Sequence, residues 1–286
     1  MADYKGVNIK KLRKYRCNHN YFNKIDSEEK VYWLGFISAD GYLNTKHSVL
    51  RIMLSKRDKD HLKLFLKAIQ SNHQIKDTTY KGFWYSQIRI SSKDLVRDLL
   101  QYVKFDGIKK SSSLKFPKNI PDKLIRHYIR GYFDGDGHII NEKKHKEFGI
   151  TSNKYFLVGM KKKLMEELGG HNTKNKIMPN GITETITYQG KFQVSKIKKY
   201  LYWNSNIYLK RNKNIFDTFS NDMIDRANID QLKDISLITH RKTVSLPPTV
   251  LEKLQANKGD CIRFILNNTK IVMQKQNVAD GEKIEK

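Results

Sequence analysis

Tyr32-Trp33-Leu34-Gly35-Phe36-Ile37-Ser38-Ala39-Asp40-Gly41 is the stretch that decides the fold, because it returns as Tyr128-Ile129-Arg130-Gly131-Tyr132-Phe133-Asp134-Gly135-Asp136-Gly137. Gly35 and Ala39 stand four residues apart, as do Gly131 and Gly135. At helical spacing each pair shares one face, and small side chains there let two backbones come close. Each copy ends in Asp-Gly, which predicts a helix that stops there with the glycine as a left-handed cap. An Asp at a helix C-terminus meets the negative end of the dipole, an unfavourable place unless a cation compensates. If the two helices pack side by side, Asp40 and Asp136 converge. Two carboxylates at one point suit a hard divalent ion such as Mg²⁺. Under a phosphodiester, such an ion activates water and stabilises the leaving oxygen. A lone Asp-Gly would read as a turn. The repeated small-residue helix before it makes a metal site the better reading.

The elements after each copy match in order. Tyr42 to Ser55 reads as a hairpin, and Asp58 as the cap of a helix carrying Leu62, Phe65, Leu66 and Ile69 on one face. Strands are predicted near 74–80 and 84–90, then a helix capped by Ser92. The second copy predicts strands near 138–140 and 147–151, then a helix over 154–168 ended by Gly169-Gly170. Strands near 176–178 and 183–194 and a helix over 195–203 complete it. The class is α+β: two pseudo-symmetric αββαββα repeats, spanning 28–118 and 119–220.

These paired segments resemble the signature of LAGLIDADG homing endonucleases over about Glu28 to Phe219. The resemblance implies a pseudo-symmetric monomeric nuclease body whose motif helices form the interface. Two sheets would straddle the major groove of double-stranded DNA at a long, poorly palindromic site. Cleavage of both strands would leave 3′ overhangs, with Mg²⁺ as the metal and Mn²⁺ able to replace it. The motif's last acidic position matches Asp40 and Asp136, which would carry the metals. Its earlier acidic position is Ser38 in one copy and Asp134 in the other, and is structural in the family. Arg130 is unusual for the motif and is expected at an exposed helix edge. By position, Lys109 or Lys110 and Lys210 or Arg211 are the basic residues that would support charge developing on the phosphate. Ser55 and Ser152 match the polar position at the end of each repeat's second strand.

An antiparallel sheet can pack one face on helices and turn the other to a ligand. Arg51, Gln87 and Arg89 alternate with apolar neighbours, as do Thr185, Thr187, Gln189, Lys191 and Gln193. Arg and Gln suit guanine and adenine edges, so these are the expected base-reading residues. Lys143, Lys144 and Lys146, in the second hairpin's turn, are expected to grip phosphate. His138 follows the second Asp-Gly, close to where the phosphate would lie. Cys17-Asn-His19 has no second pair at ligand spacing, so no zinc site is expected.

The wider composition agrees. In 286 residues, 55 Lys+Arg against 29 Asp+Glu leave a net charge of +26, which points to a polyanionic partner. Aromatics at 11% exclude a disordered basic tail. No run approaches the roughly 18 apolar residues of a membrane span, and no apolar leader follows the basic N-terminus. A cytoplasmic, nucleoid-associated or organellar place is expected, with no membrane partner. Residues 1–27 read as a basic arm, 221–240 as an acidic linker, and 277–286 as a disordered tail. Residues 241–276 resemble the swapped-hairpin AbrB/MazE-type DNA-binding domain, which implies dimerisation through this module. Two rivals to the nuclease stand: a catalytically silent DNA-binding regulator on the same scaffold, and an RNA-binding intron maturase.

Overall fold

The structure is a computed structural model of the chain. It describes residues 14–103, 113–169, 173–177, 181, 183–236, 244–258, 260–267 and 270–276. The first repeat runs α1 (Glu28–Asp40), β1 (Gly41–Asn44), β2 (Val49–Ser55), α2 (Lys59–Ala68), β3 (Lys76–Tyr80), β4 (Phe83–Ser91) and α3 (Lys93–Tyr102). The second runs α4 (Asp122–Asp136), β5 (Gly137–Asn141), β6 (Lys146–Asn153), α5 (Lys154–Leu168), β7 (Thr173–Ile177), β8 (Thr183–Gln189) and α6 (Lys191–Tyr202). The two four-stranded antiparallel sheets have the same order, β1-β2-β4-β3 and β5-β6-β8-β7. The α+β class and the helix–hairpin–helix–hairpin–helix order of each repeat are as the sequence predicts.

Each sheet buries one face. Leu50, Ile52 and Leu54 of β2 and Ser86, Ile88 and Ile90 of β4 point inward, while Arg51 and Arg89 between them are exposed. That alternation is what period-two strands require. Helix α1 is buried from Val31 to Ala39. It shares one continuous core with α4, both sheets and the outer helices.

Several local readings change. Asp58 makes no cap bond to α2; a short 3₁₀ turn at 56–58 leads in, and the Asp58 carboxylate binds Arg211 instead. Gly41 and Gly137 are extended (φ −75 and −94) and take no left-handed cap. Glycine is needed there because a Cβ would collide with Ile37 and Phe133, one turn back. The expected strand 183–194 stops at Gln189, because Gly190 takes φ +91 and starts α6.

After α7 (Lys210–Asp217), the segment expected as a linker packs on the second repeat. Helix α8 (Asp222–Arg226) and a 3₁₀ turn (Ile229–Asp234) bury Ile224 and Leu232. The Lys196 ammonium donates to the Leu168 and Ile235 carbonyls, tying this segment to the end of α5. The 241–276 region, where described, is helix α9 (Pro248–Lys253) and a hairpin of β9 (Cys261–Asn267) and β10 (Lys270–Gln276). Residues 277–286 lie outside the described residues. Among the described residues, no helix is long and apolar enough to cross a membrane.

Candidate functional site

The site is built on the contact between α1 and α4. A Cβ on Gly35 would fall on the Tyr128 carbonyl, and one on Gly131 on the Tyr32 carbonyl. The two reciprocal contacts express a pseudo-twofold relation. Further along, a Cβ on Gly135 would meet Ala39, so the helices run in the same direction and end together. The same Cβ would lie 3.4 Å from a carboxylate oxygen of Asp40. Asp40 therefore sits against the residue preceding Asp136, where the two helices end. Asp40 is half-buried and Asp136 exposed. Both lie at the joined negative ends of two helix dipoles, where a cation is stabilising.

The donor chemistry fits a hard divalent ion that keeps most of its shell for others. Among the described residues, no group of three or more His, Cys, Asp or Glu side chains is arranged to hold a metal. Magnesium is typically held by one or two carboxylates, with substrate phosphates and water completing the octahedron.

Asp134 and Asp136, two residues apart, face different surroundings. Asp134 is fully buried and accepts from Tyr32 Oη (2.8 Å), Tyr202 Oη (2.6 Å), the Leu209 amide (2.7 Å) and Asn212 Nδ2 (3.0 Å). Burial raises its pKa, and these donors oppose the rise. It joins α1, the end of α6 and the start of α7, a structural role. In the first repeat, Ser38 at this position donates to the Leu34 carbonyl (2.8 Å). The Tyr132 hydroxyl lies 2.8 Å from Ser152 Oγ and is hydrogen-bonded to the Asp136 carboxylate; burial and that carboxylate hold its pKa far above the ordinary value.

Arg130 is fully buried, which corrects the exposed edge expected for it. It donates to the Ile207 (2.9 Å) and Leu201 (2.7 Å) carbonyls and pairs with Glu28 (2.7 Å), so every arm of its fork is used. Of the proposed basic residues, Arg211 donates to Asp58 Oδ2 (3.1 Å) and Asn212 Oδ1 (2.8 Å), bridging the two repeats, while Lys210 is exposed. Lys109 and Lys110 lie outside the described residues.

The open faces of the sheets are not equivalent. Gly41 pairs with Ile52, and Ile52 with Ile88; Gly137 pairs with Ile150, and Ile150 with Ile186. Aligned on these rows, Tyr42, Arg51 and Arg89 correspond to His138, Gly149 and Thr187, and Met53 and Gln87 to Thr151 and Thr185. The second hairpin is two residues longer, so Ser55 corresponds to Asn153. Ser55 and Ser152 thus lie on opposite faces of their sheets, the consequence of a one-residue offset. Ser55 is on the open side, whereas Ser152 is buried against Tyr132, on the face of its sheet that meets the core. Lys191 and Gln193 belong to α6 and not to a reading strand; the Gln193 carbonyl oxygen is buried. Thr187 is partly exposed, Thr185 is buried against Thr151 (2.7 Å), and Lys143 and Lys144 are exposed in the turn.

The sequence reading missed Glu147. Its carboxylate accepts from His138 Nε2 (3.0 Å), His145 Nε2 (3.0 Å) and Gln189 Nε2 (2.7 Å). Burial alone would raise its pKa, but these bonds outweigh burial and hold it at about 2. Gly149 makes room for the His138 ring, which lies where a Cβ would project. His138 and Gln189, expected at phosphate and bases, are held by this acid.

Residues 123–219 match the family model of the LAGLIDADG-like domain. The matched span is the second repeat, from α4 through α7. No curated protein matches the chain. Among solved structures, the full-length DUF199/WhiA from Thermatoga maritima is similar at 16% identity and TM-score 0.45, over 70% of this chain and 64% of that one. The chain thus spans less than two thirds of that protein's length. The I-LtrWI LAGLIDADG homing endonuclease bound to target DNA is similar at 13% identity and TM-score 0.45, over 73% of this chain and 91% of that one. Meganuclease I-SmaMI bound to uncleavable DNA is similar at 14% identity and TM-score 0.41, over 65% and 92%.

Proposed function

We propose that the protein is a site-specific endonuclease that hydrolyses both strands of double-stranded DNA with Mg²⁺ or Mn²⁺, leaving 3′ overhangs. The observation that carries this reading is the pair of aspartates, Asp40 and Asp136, brought together where two parallel helices end between two sheets with open faces. Asp40 and Asp136 hold the metal. When bound, the ion supplies an activated water and charge neutralisation at the leaving oxygen. The chain's own contribution is positioning. The backbone contact at Gly35 and Gly131 fixes the spacing of the carboxylates, and Tyr132, braced by Ser152, orients that of Asp136. Lys210, with Lys109 or Lys110, adds positive charge near the phosphate. Arg211 serves this role only after leaving Asp58.

One observation favours a DNA-binding regulator on the same scaffold. The C-terminal hairpin leaves Phe264, Ile271 and Val272 exposed, which suits a module that dimerises or docks. The two readings part in one experiment. Incubating the protein with a genomic DNA library, with and without Mg²⁺, and sequencing the ends should show metal-dependent cuts at one site. These should vanish in Asp40→Asn and Asp136→Asn, with binding retained. Binding with no metal-dependent cuts in the unmodified protein would replace the nuclease by the regulator.

A further inference from the structure

The β3–β4 hairpin of the first sheet ends in exposed aromatic rings. Lys81 and Gly82 both take positive φ (49 and 81), which closes a two-residue turn whose twist matches that of the strands. Strand β2 ends opposite Tyr85, so Phe83 and Trp84 stand beyond it and pair with β3 alone. The register sets Tyr80 opposite Phe83, on the open face with Gln87 and Arg89. Trp84 belongs to the other face, with Ser86 and Ile88. Tyr80, Phe83 and Trp84 are 58%, 68% and 56% exposed, so none of the three serves the core.

Both faces of this two-stranded tip therefore carry rings, which is the shape of a wedge and not of a flat reading surface. Large apolar side chains exposed together mark a contact site. Cations stand beside them. Lys56 Nζ lies 4.6 Å from the Trp84 ring centroid, and Lys81 Nζ 5.5 Å from that of Tyr80. Asp77, the acid of β3, is already paired with Lys59 (2.9 Å) and Lys56 (3.7 Å). Rings flanked by ammonium groups are complementary to bases flanked by phosphates. The position agrees. Strand β4 runs in the same direction as β1, so the tip lies at the end of the sheet where Asp40 enters β1, three strands or roughly 14 Å away. At the corresponding place the second repeat reads Met178-Pro179-Asn180-Gly181-Ile182, a sequence without an aromatic residue.

We propose that this tip is an aromatic wedge that enters an unstacked base step of the DNA, on the side of the first repeat only. The proposal rests on the DNA-binding reading above and adds a deformation of the duplex to it. A wedge must open the step it enters, and a helix defect has that step open beforehand. The test is fluorescence anisotropy in EDTA with two mixed-sequence duplexes of about 30 base pairs, one fully paired and one with a central single-base bulge. The unmodified protein should bind the bulged duplex about tenfold tighter or more. Tyr80→Thr/Phe83→Thr/Trp84→Thr keeps strand-forming residues in the hairpin. It should bind both duplexes alike, with the slope of log K against log salt unchanged because no cation is removed. Tyr155→Ala/Val158→Ala, which removes exposed apolar groups of α5, should retain the preference. Equal affinity of the unmodified protein for the two duplexes, or a preference that survives in the tip variant, would overturn the wedge while leaving DNA binding intact. Loss in the tip variant of self-association in sedimentation, or of binding to phosphatidylserine vesicles, with the bulge preference unchanged, would overturn it too, and assign the tip to a second copy or to a lipid surface. Failure of the unmodified protein to bind either duplex would overturn the DNA reading and the wedge with it.

Discussion

Asp134 shows how far burial separates neighbouring acids. Four donors converge on it, so truncation to Asp134→Ala strands two tyrosine hydroxyls, an amide N–H and Asn212 inside the core. Unpaired buried donors cost about 1–3 kcal/mol each when they cannot reach water. Asp134→Ala should therefore lower the unfolding free energy by at least about 3 kcal/mol in urea titration. His61 tests the same core through protons. Burial, assisted by Arg211, pushes its pKa down to about 3 from 6.5. Its Nε2 lies 3.0 Å from the Tyr32 hydroxyl, which itself donates to Asp134, so a neutral imidazole donating to Tyr32 completes the chain. Below about 6.5 the unfolded chain takes up a proton that the folded chain refuses until about 3. Stability is thus lost as pH falls through that window. His61→Gln should flatten the dependence by about 1.4 kcal/mol per pH unit between about pH 4 and 6, read as unfolding free energy against pH.

At the scale of elements, the decisive contact is α1 on α4. A methyl group at Gly131 or Gly35 falls on a carbonyl of the facing helix, and backbone has no rotamer to escape into. Gly131→Ala should cost about 3 kcal/mol or more, as overpacking at a close backbone contact does. It should also weaken metal-dependent cleavage, because Asp136 is carried on the displaced helix. Melting temperature and cleavage rate, measured together, check this; an unchanged melting temperature would refute the contact. The segment from Ile229 to Ile235 depends on Lys196, whose ammonium burial pushes down to about 8. Lys196→Met keeps the stem and removes both carbonyl contacts. Faster amide exchange at Lys233 and Ile235, with little change in α1, is the expected outcome.

At the scale of the molecule, the core ends before the C-terminal hairpin. Among the described residues, Leu232 is the last buried member of the hydrophobic core, with Pro247 buried beyond it, whereas Phe264 and Ile271 are exposed. Deleting 237–286 should leave the melting temperature of the body within about 2 °C, since little buried area is lost. The same truncation should reduce DNA affinity if the module contributes contacts, which anisotropy would show.

The sequence by itself determined the repeat, the class and the pair of aspartates. These depend on local rules: small residues at helical spacing, an Asp-Gly stop, and period-two strands. Helix α5 was legible to its ends because Gly169 adopts φ +80 as its cap. Three things were decided only by tertiary structure. Arg130 reads as a surface residue until its partners, Glu28 and the carbonyls of Leu201 and Ile207, arrive from distant sequence. Ser152 stands one residue short of the position that corresponds to Ser55, and one residue of register inverts the face. Glu147 gains its depressed pKa, and the first sheet its facing arginines, from cross-strand neighbours. Periodicity tells which residues share a face. It does not tell which other strand or helix supplies the charge that completes it, because that pairing is made across tens of residues by packing.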